Sequence, residues 1–257
     1  MATLEALIFD VDGTLADTEA GHLAAFNHAF ADAGLDWEWS TGDYTRLLEV
    51  TGGKERMAHY LKAWEPATRP PEPVNESIAA LHAAKTRHYV AMLEGGAIAL
   101  RPGVERLLRE AREAGLRLAI ATTTTPANVE ALLEHTLGPG AMDWFEVVGA
   151  GGVVPHKKPA PDIYEYVLRE MGLAPTAAIA FEDSGPGVRA ARGAGLPVIV
   201  TTSTFTVDHD FTGAALVLDS MGEVERPFGV LGGDAGGHEW LDVELVREVH
   251  RAANFEF

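Results

Sequence analysis

Residues 6–19, ALIFDVDGTLADTE, decide how this chain folds. Ala6 to Phe9 form an apolar run of strand type that ends abruptly in Asp10, Val11, Asp12, Gly13 and Thr14. Alternate residues of an extended chain point to the same side, so Asp10 and Asp12 are expected to face one pocket beyond the carboxyl end of the strand. Two carboxylates this close repel each other, and one takes up a proton unless a cation or a division of labour separates them. A hard divalent ion such as Mg2+ meets that need, because it takes oxygen ligands and is often held by one or two carboxylates with waters and phosphate. Taken alone, the stretch could also be a turn whose aspartates only hydrogen-bond the backbone.

Outward from this stretch, strand and helix patterns alternate. Strands are expected at about residues 5–10, 117–121, 145–149, 177–181, 197–201 and 215–218, and helices at about 102–114, 125–136, 160–171 and 185–194. Gly115, Gly172 and Gly195 stand where three of these helices should end. The alternation predicts an α/β fold, a parallel sheet covered by helices on both faces. In such open sheets ligands sit beyond the carboxyl ends of the strands. Three more polar motifs fall there: Thr122 in LRLAIATTTTPANVE, Lys158 in HKKPAPDIYEYVL, and Glu182 with Asp183 in AAIAFEDSGPGVRAA.

About 110 residues separate the first two core strands, far more than one crossover helix needs. Residues 17–96 are therefore expected to form an insertion, with 1–16 and 97–257 making the core. The insertion has helical patterns in HLAAFNHAFADAG, YTRLLEV, KERMAHYLKAW and SIAALHAAKTRHYVAML, which suit a four-helix bundle. Its connections, Ala16 to Asp17 and Gly95 to Gly96, have the character of paired hinges, where glycine absorbs backbone rotation. The tail from Ser203 is less legible: VDHDF and PFGVLGGDAGGHEW have loop composition, and DVELVREVHRAA has one amphipathic helical face.

Composition narrows the function classes. The 257 residues are 47 % hydrophobic, contain no cysteine, and carry a formal charge of −18 spread along the chain. Without cysteine there is no disulfide framework, thiolate catalyst or cysteine-built zinc site. No apolar run is long enough for a membrane span, and the charge repels nucleic acid and anionic membranes. The amino terminus enters a strand directly, with no leader pattern. A cytoplasmic protein is expected, or one from an organelle stroma after removal of a transit peptide. The partner expected is a small phosphorylated sugar acting on a monomer, without nucleic acid or membrane. A phosphate substrate must find a locally basic site against the global field, which makes each cationic cluster informative.

The four motifs in this order resemble the haloacid dehalogenase superfamily of phosphotransferases, over nearly the whole chain. The resemblance implies a Rossmann-like parallel-sheet core with an inserted helical cap that closes over the site and selects the substrate. Asp10 would attack phosphorus to form an aspartyl-phosphate. Asp12 would protonate the leaving sugar oxygen, then deprotonate the hydrolytic water, while its backbone carbonyl ligates Mg2+. Thr122 would hydrogen-bond the transferring phosphoryl group, and Lys158 would neutralise its charge and steady Asp10. Asp10, Asp12, Glu182 and Asp183 are the implied metal set, with Asp183 favoured over Glu182. Lys157 is expected to be a solvated neighbour.

Within the insertion, TGGKER exposes the N–H groups of Gly52 and Gly53 before a helix, where an anion is favoured, and adds Lys54 and Arg56. Lys85 and Arg46 are further candidates for the same anion. Glu19 and His22 are placed to meet sugar hydroxyls or the leaving group, and Thr123 and Thr124 either touch phosphate or form a polar turn before Pro126. Taken together, FDVDGTLADTE, TGGKER, ATTTTPANVE, KKPAPDIY and FEDSGPGVRAA look like the Rubisco-associated CbbY-type phosphatases, which act on xylulose-1,5-bisphosphate. The alternatives are the β-phosphoglucomutase branch, which commonly carries DGV where this chain has Asp12, Gly13 and Thr14, a phosphoglycolate phosphatase, and a degenerate phosphosugar-binding module.

Overall fold

The apolar runs pair side by side because both of their faces are to be buried. In the computed structural model, which describes residues 3–254, the strands are β1 (Ala6–Phe9), β2 (Arg117–Ala121), β3 (Phe145–Gly149), β4 (Ala178–Glu182), β5 (Val198–Thr201), β6 (Leu216–Leu218) and β7 (Val230–Gly232). They form one sheet in the order β3-β2-β1-β4-β5-β6-β7. The first six are parallel, and β7 runs antiparallel to β6 at the edge.

Strand alternation splits the core in two. Leu7, Phe9, Leu118, Ile120, Ile179 and Phe181 face α5 (Val104–Glu113), α6 (Pro126–Thr136) and α9 (Val243–Ala253). Ala6, Ile8, Ala119, Ala121, Ala178 and Ala180 face α7 (Asp162–Met171) and α8 (Gly185–Gly193). The alanines leave room for α7 and α8 to lie close to the sheet, whereas the large face is filled by pairs such as Phe9 on Phe181, ring centroids 4.4 Å apart. Each fully buried Leu, Ile or Phe contributes roughly 1.5–3 kcal/mol, so the alternation itself sets the layer order.

The chain runs outward from β1 to β2 and β3, then returns to place β4 on the other side of β1. The carboxyl ends of β1, β2 and β4 therefore meet at the point where the strand order reverses, the usual place for a ligand. Caps stop and start the helices there: Thr125 accepts from the Asn128 N–H with Pro126 at the first turn of α6, and Ser184 accepts from the Gly187 N–H in α8. Gly115, Gly172 and Gly195 are all left-handed after their helices.

Between β1 and β2 lie α1 (Glu19–Asp32), α2 (Thr41–Leu47), α3 (Gly53–Ala63) and α4 (Val74–Glu94). They bury their own cluster, in which Phe26, Phe30, Trp37, Trp39, Tyr44, Leu47 and Met57 are almost wholly enclosed. The two connections run side by side: Ala16 bridges Leu100 in antiparallel fashion, and the Arg101 N–H donates to the Leu15 carbonyl. Among the described residues no helix is long and apolar enough to cross a membrane. The tail departs from its loop composition at β7, a three-residue edge strand too short to show a period, with Val230 and Leu231 exposed.

Candidate active site

Each polar motif is delivered by the residue that ends a buried strand or begins the helix after it. Asp10 follows β1, Thr122 follows β2, Glu182 ends β4 with Asp183 next, and Lys158 precedes α7. All five are buried, although four of them belong to the acidic and basic types that are rarely enclosed unless paired. Lys158 Nζ donates to Asp10 Oδ1 at 2.7 Å, to Glu182 Oε1 at 2.6 Å and to the Ala121 carbonyl at 2.8 Å, which commits its three protons. The Tyr164 hydroxyl also donates to Glu182. Asp183 Oδ2 accepts from the hydroxyls of Ser203 and Thr206, at 3.1 and 3.2 Å.

Gly13 is required at this crowding. Its φ is +80°, and a Cβ there would run into the Asp183 carboxylate. The loop after β1 and the β4 end thus approach as closely as backbone allows.

Charge does not balance within the cluster. Oxygens of Asp10, Glu182 and Asp183 lie within 4.8 Å of one another, against the single ammonium of Lys158. Burial, offset by Lys158 and reinforced by Glu182 and Asp12, pushes Asp10 up to about 7. Burial and the neighbouring carboxylates push Asp183 well above its usual range. Burial opposes the charge on Lys158, but Asp10 and Glu182 together hold its pKa above the ordinary value. Hard oxygen donors in negative excess fit a divalent cation. Glu182 is already engaged by Lys158 and Tyr164, so Asp10 and Asp183 are the freer donors.

The Asp12 carboxylate turns away from this cluster toward the inserted helices. It accepts from the Thr18 hydroxyl at 2.7 Å and lies 2.8 Å from His22 Nε2. Lys85 Nζ sits 2.8 Å from His22 Nδ1. An ammonium can only donate there, so Nε2 carries the ring proton and donates to Asp12. Burial opposes ionisation of Asp12, yet His22, Thr18 and Lys85 together hold its carboxyl well below the usual range. Burial lowers Lys85 to about 8 against the pull of Asp12 and Glu19.

On α3, Arg56 is buried, lines the cavity and is oriented by its neighbours. Its Nε donates to the Leu47 carbonyl at 3.1 Å and its Nη1 to the Tyr44 hydroxyl at 2.9 Å; Tyr44 in turn donates to Glu19 Oε2 at 2.7 Å. Gly52 and Gly53 open α3 beside it, Gly52 with φ +93°. Asp10, Asp12, Glu19, His22, Gly52, Gly53, Arg56, Lys85, Thr122, Thr123, Thr124, Lys158 and Asp183 all line one cavity.

The haloacid dehalogenase-like hydrolase family matches residues 4–195, most of the chain. The chain belongs to this family. This hydrolase is 50 % identical over 253 residues to the plasmid-borne protein CbbY of Cupriavidus necator, covering 98 % of this chain and 99 % of that one. The crystal structure of CbbY from Rhodobacter sphaeroides in complex with phosphate superposes with a TM-score of 0.80 at 49 % identity, covering 85 % of this chain and 95 % of that chain. The mutant D10N of that protein, in complex with xylulose-(1,5)bisphosphate, matches to the same degree. A β-phosphoglucomutase from Clostridium difficile superposes with a TM-score of 0.76 over 98 % of this chain and 100 % of that one at 20 % identity, and so shares the fold. This hydrolase is a phosphatase acting on phosphate esters.

Two basic residues of this hydrolase stand elsewhere than at the cavity wall. Arg46 is exposed on α2 and Lys54 is exposed in the first turn of α3, while Leu48, just after α2, and Arg56 on α3 line the cavity instead. Thr14 is fully buried and its hydroxyl has no partner among the described residues. It does not line the cavity, so the departure from DGV has no direct contact with a reacting group. Lys157 is not a free surface charge: its Nζ pairs with Glu55 of α3 at 2.7 Å. Beside it, the Thr51 hydroxyl donates to the Lys158 carbonyl.

The cavity also holds His82, His209 and Asn128, which sequence patterning did not single out. His82 was within reach, since it lies three residues before Lys85 and so on the same helical face. Burial and the surrounding lysines lower His82 to about 4, leaving it neutral. His209 sits in the long connection between β5 and β6, where no period exists to mark it.

Proposed function

We propose that this phosphatase hydrolyses a sugar bisphosphate through an aspartyl-phosphate on Asp10, with xylulose-1,5-bisphosphate as the substrate. The observation that carries the reading is one cavity lined by two separately held cations, Lys158 paired with Asp10 in the core and Arg56 beside Gly52 and Gly53 on α3. The complex formed by the Rhodobacter sphaeroides relative supports the choice of sugar.

In this reading residues 17–96 are the cap and residues 1–16 with 97–257 the catalytic core. Asp10 attacks phosphorus; its new O–P bond forms as the ester O–P bond breaks. Asp12 gives a proton to the leaving sugar oxygen; that proton is relayed from the Lys85 ammonium, which hands one to His22 Nδ1 as His22 Nε2 passes one to Asp12. In the second half Asp12 takes a proton from water, whose oxygen attacks phosphorus and releases Asp10 and inorganic phosphate. Thr122 donates to the transferring group, and Lys158 orients Asp10 while its charge offsets the phosphoryl oxygens. Asp10, Asp183, Glu182 and the Asp12 peptide carbonyl would hold Mg2+, which would supply positive charge against the phosphoryl oxygens. Glu19 and His22 face the sugar, with Thr123, Thr124 and Lys85 lining its path.

The test is an acceptor assay. With Mg2+ present, xylulose-1,5-bisphosphate is expected to yield xylulose 5-phosphate and stoichiometric inorganic phosphate. Sustained interconversion of β-glucose 1-phosphate and glucose 6-phosphate with little phosphate release would replace this reading by phosphoryl transfer to a sugar.

Arg56 gives a sharper prediction. Its Nη2 has no protein hydrogen bond among the described residues, while Nε and Nη1 are tied back. Charge-assisted hydrogen bonds contribute about 1.5–3 kcal/mol. Arg56→Ala is therefore expected to lower kcat/KM for the bisphosphate roughly ten- to a hundredfold. A small phosphate ester lacking the second phosphate should be nearly unaffected. Measuring both substrates on one variant cancels any loss of folded protein, and equal losses would assign Arg56 to the fold or the chemistry instead.

A further inference from the structure

The loop from Thr202 to His209 reaches both halves of the molecule. It leaves β5 under Arg101, whose guanidinium donates to the carbonyls of Thr201 and Thr202, at 3.0 and 2.5 Å, and also to the carbonyl of Gly13. Its root is thereby clamped to the nucleophile loop. Just beyond, Ser203 and Thr206 place both hydroxyls on Asp183 Oδ2, and the Ser203 N–H donates to the Thr206 hydroxyl at 3.0 Å. Between them Phe205 points the other way. Among the described residues it is the one side chain from the core half that packs with the inserted helices' apolar cluster, its ring edge-on to Tyr44 at 6.0 Å. Farther along the same loop, His209 Nε2 approaches Glu49 at 3.6 Å.

We propose that this loop is a positioning element through which the docked helices set the carboxylate of Asp183: Phe205 takes the contact, and Ser203 and Thr206 transmit it. The short span gives the physical reason. Only two residues lie between Ser203 and Thr206, and the turn is closed by the Thr206 N–H on the Ser203 carbonyl at 3.1 Å. Phe205 cannot move without turning Thr206. With both hydroxyls on Oδ2, the other oxygen of Asp183 is left free for a cation, and partners of this kind orient ligands and tune affinity. Tyr44 also carries the hydrogen bonds of Arg56 and Glu19, so one side chain meets Phe205 and holds two residues that line the cavity.

The inference rests on the metal reading of Asp183, and the test is arranged to separate the two. Mg2+ binding is measured by calorimetry on the full chain without substrate, with thermal melts as control. Thr206→Val is expected to weaken Mg2+ about tenfold, and Thr206→Ser to restore it. Phe205→Ala, which touches no carboxylate, is expected to weaken Mg2+ several-fold, up to about tenfold, and Phe205→Leu to retain wild-type affinity. The Phe205→Ala, Thr206→Val double variant should lose less than the product of the two single losses, because the first acts in part through the second. Wild-type affinity in Phe205→Ala, or losses that multiply in the double variant, overturn the proposal. Asp183→Asn distinguishes the failures: if it leaves Mg2+ binding intact, the metal reading itself is wrong. Should Phe205→Ala not fold, Phe205→Val takes its place in the same cycle.

Discussion

Replacing Asp10 by asparagine is expected to remove turnover, by on the order of 10^4-fold or more in kcat, because in the proposed reaction Asp10 is the group that attacks phosphorus. The fold should not suffer. Asp10 is buried among Glu182 and Asp12 with Lys158 as its cation, and its carboxyl is pushed up to about 7. A carboxyl with a raised pKa in the folded state binds protons that the unfolded chain has released. Its contribution to stability therefore declines as pH rises from about 4 toward about 7. An amide in its place does not titrate and has no such slope. In metal-free buffer the Asp10→Asn variant should melt at or above the wild-type temperature, with the difference growing from pH 5 to pH 7.5. Mg2+ should bind the wild type more weakly as pH falls below about 7, since its ligands must be ionised. Retention of full activity by Asp10→Asn would sink the covalent mechanism.

Lys158→Met is expected to cost both activity and stability. The ammonium is buried and makes three hydrogen bonds within the carboxylate cluster. Removing one partner of a buried ion pair leaves the other uncompensated, a loss of about 3–5 kcal/mol. The lysine's own pKa is raised in the folded protein, so its stabilisation is complete below its unfolded pKa and is lost only at high pH. The pH dependence of the deficit must then come from the carboxylates. Urea unfolding at pH 7.5 should show the full loss, whereas at pH 4.5, with Asp10 and Asp183 protonated, much of it should disappear. Added Mg2+ should recover part of the stability at pH 7.5 by replacing the missing charge. A deficit of equal size at both pH values would show that the methylene stem, and not the charge, was what mattered.

Several parts of this molecule are legible without coordinates because they depend on short-range rules. Strands β1, β2, β3, β4, β5 and β6 and helices α5 to α8 lie within two residues of the positions expected from period and from glycine stops. The polar residues that interrupt apolar runs, Asp10, Thr122, Glu182 and Asp183, stand at strand ends. A buried strand offers a charged side chain nowhere else to go. The length of chain between β1 and β2 likewise required an insertion, and its helices follow from their own patterns.

Other features arise from which loops happen to meet. Nothing near Asp12 in the sequence says that its carboxylate turns to Thr18 and His22 while Asp10 turns to Lys158; strand alternation put both on one side, and their hydrogen-bond partners then separated them. The pairing of Lys157 with Glu55, residues 102 positions apart, depends on how the inserted helices sit over the sheet. So does the meeting of Phe205 with Tyr44, and the exposure of Arg46 and Lys54 while Arg56 turns inward. By itself the sequence determined the layers of the fold and the chemical groups at the ends of its strands, because hydrophobic period and chain length act locally. Only the tertiary structure decided which carboxylate meets which cation, because those contacts are made between segments whose separation in the chain carries no record of their distance in space.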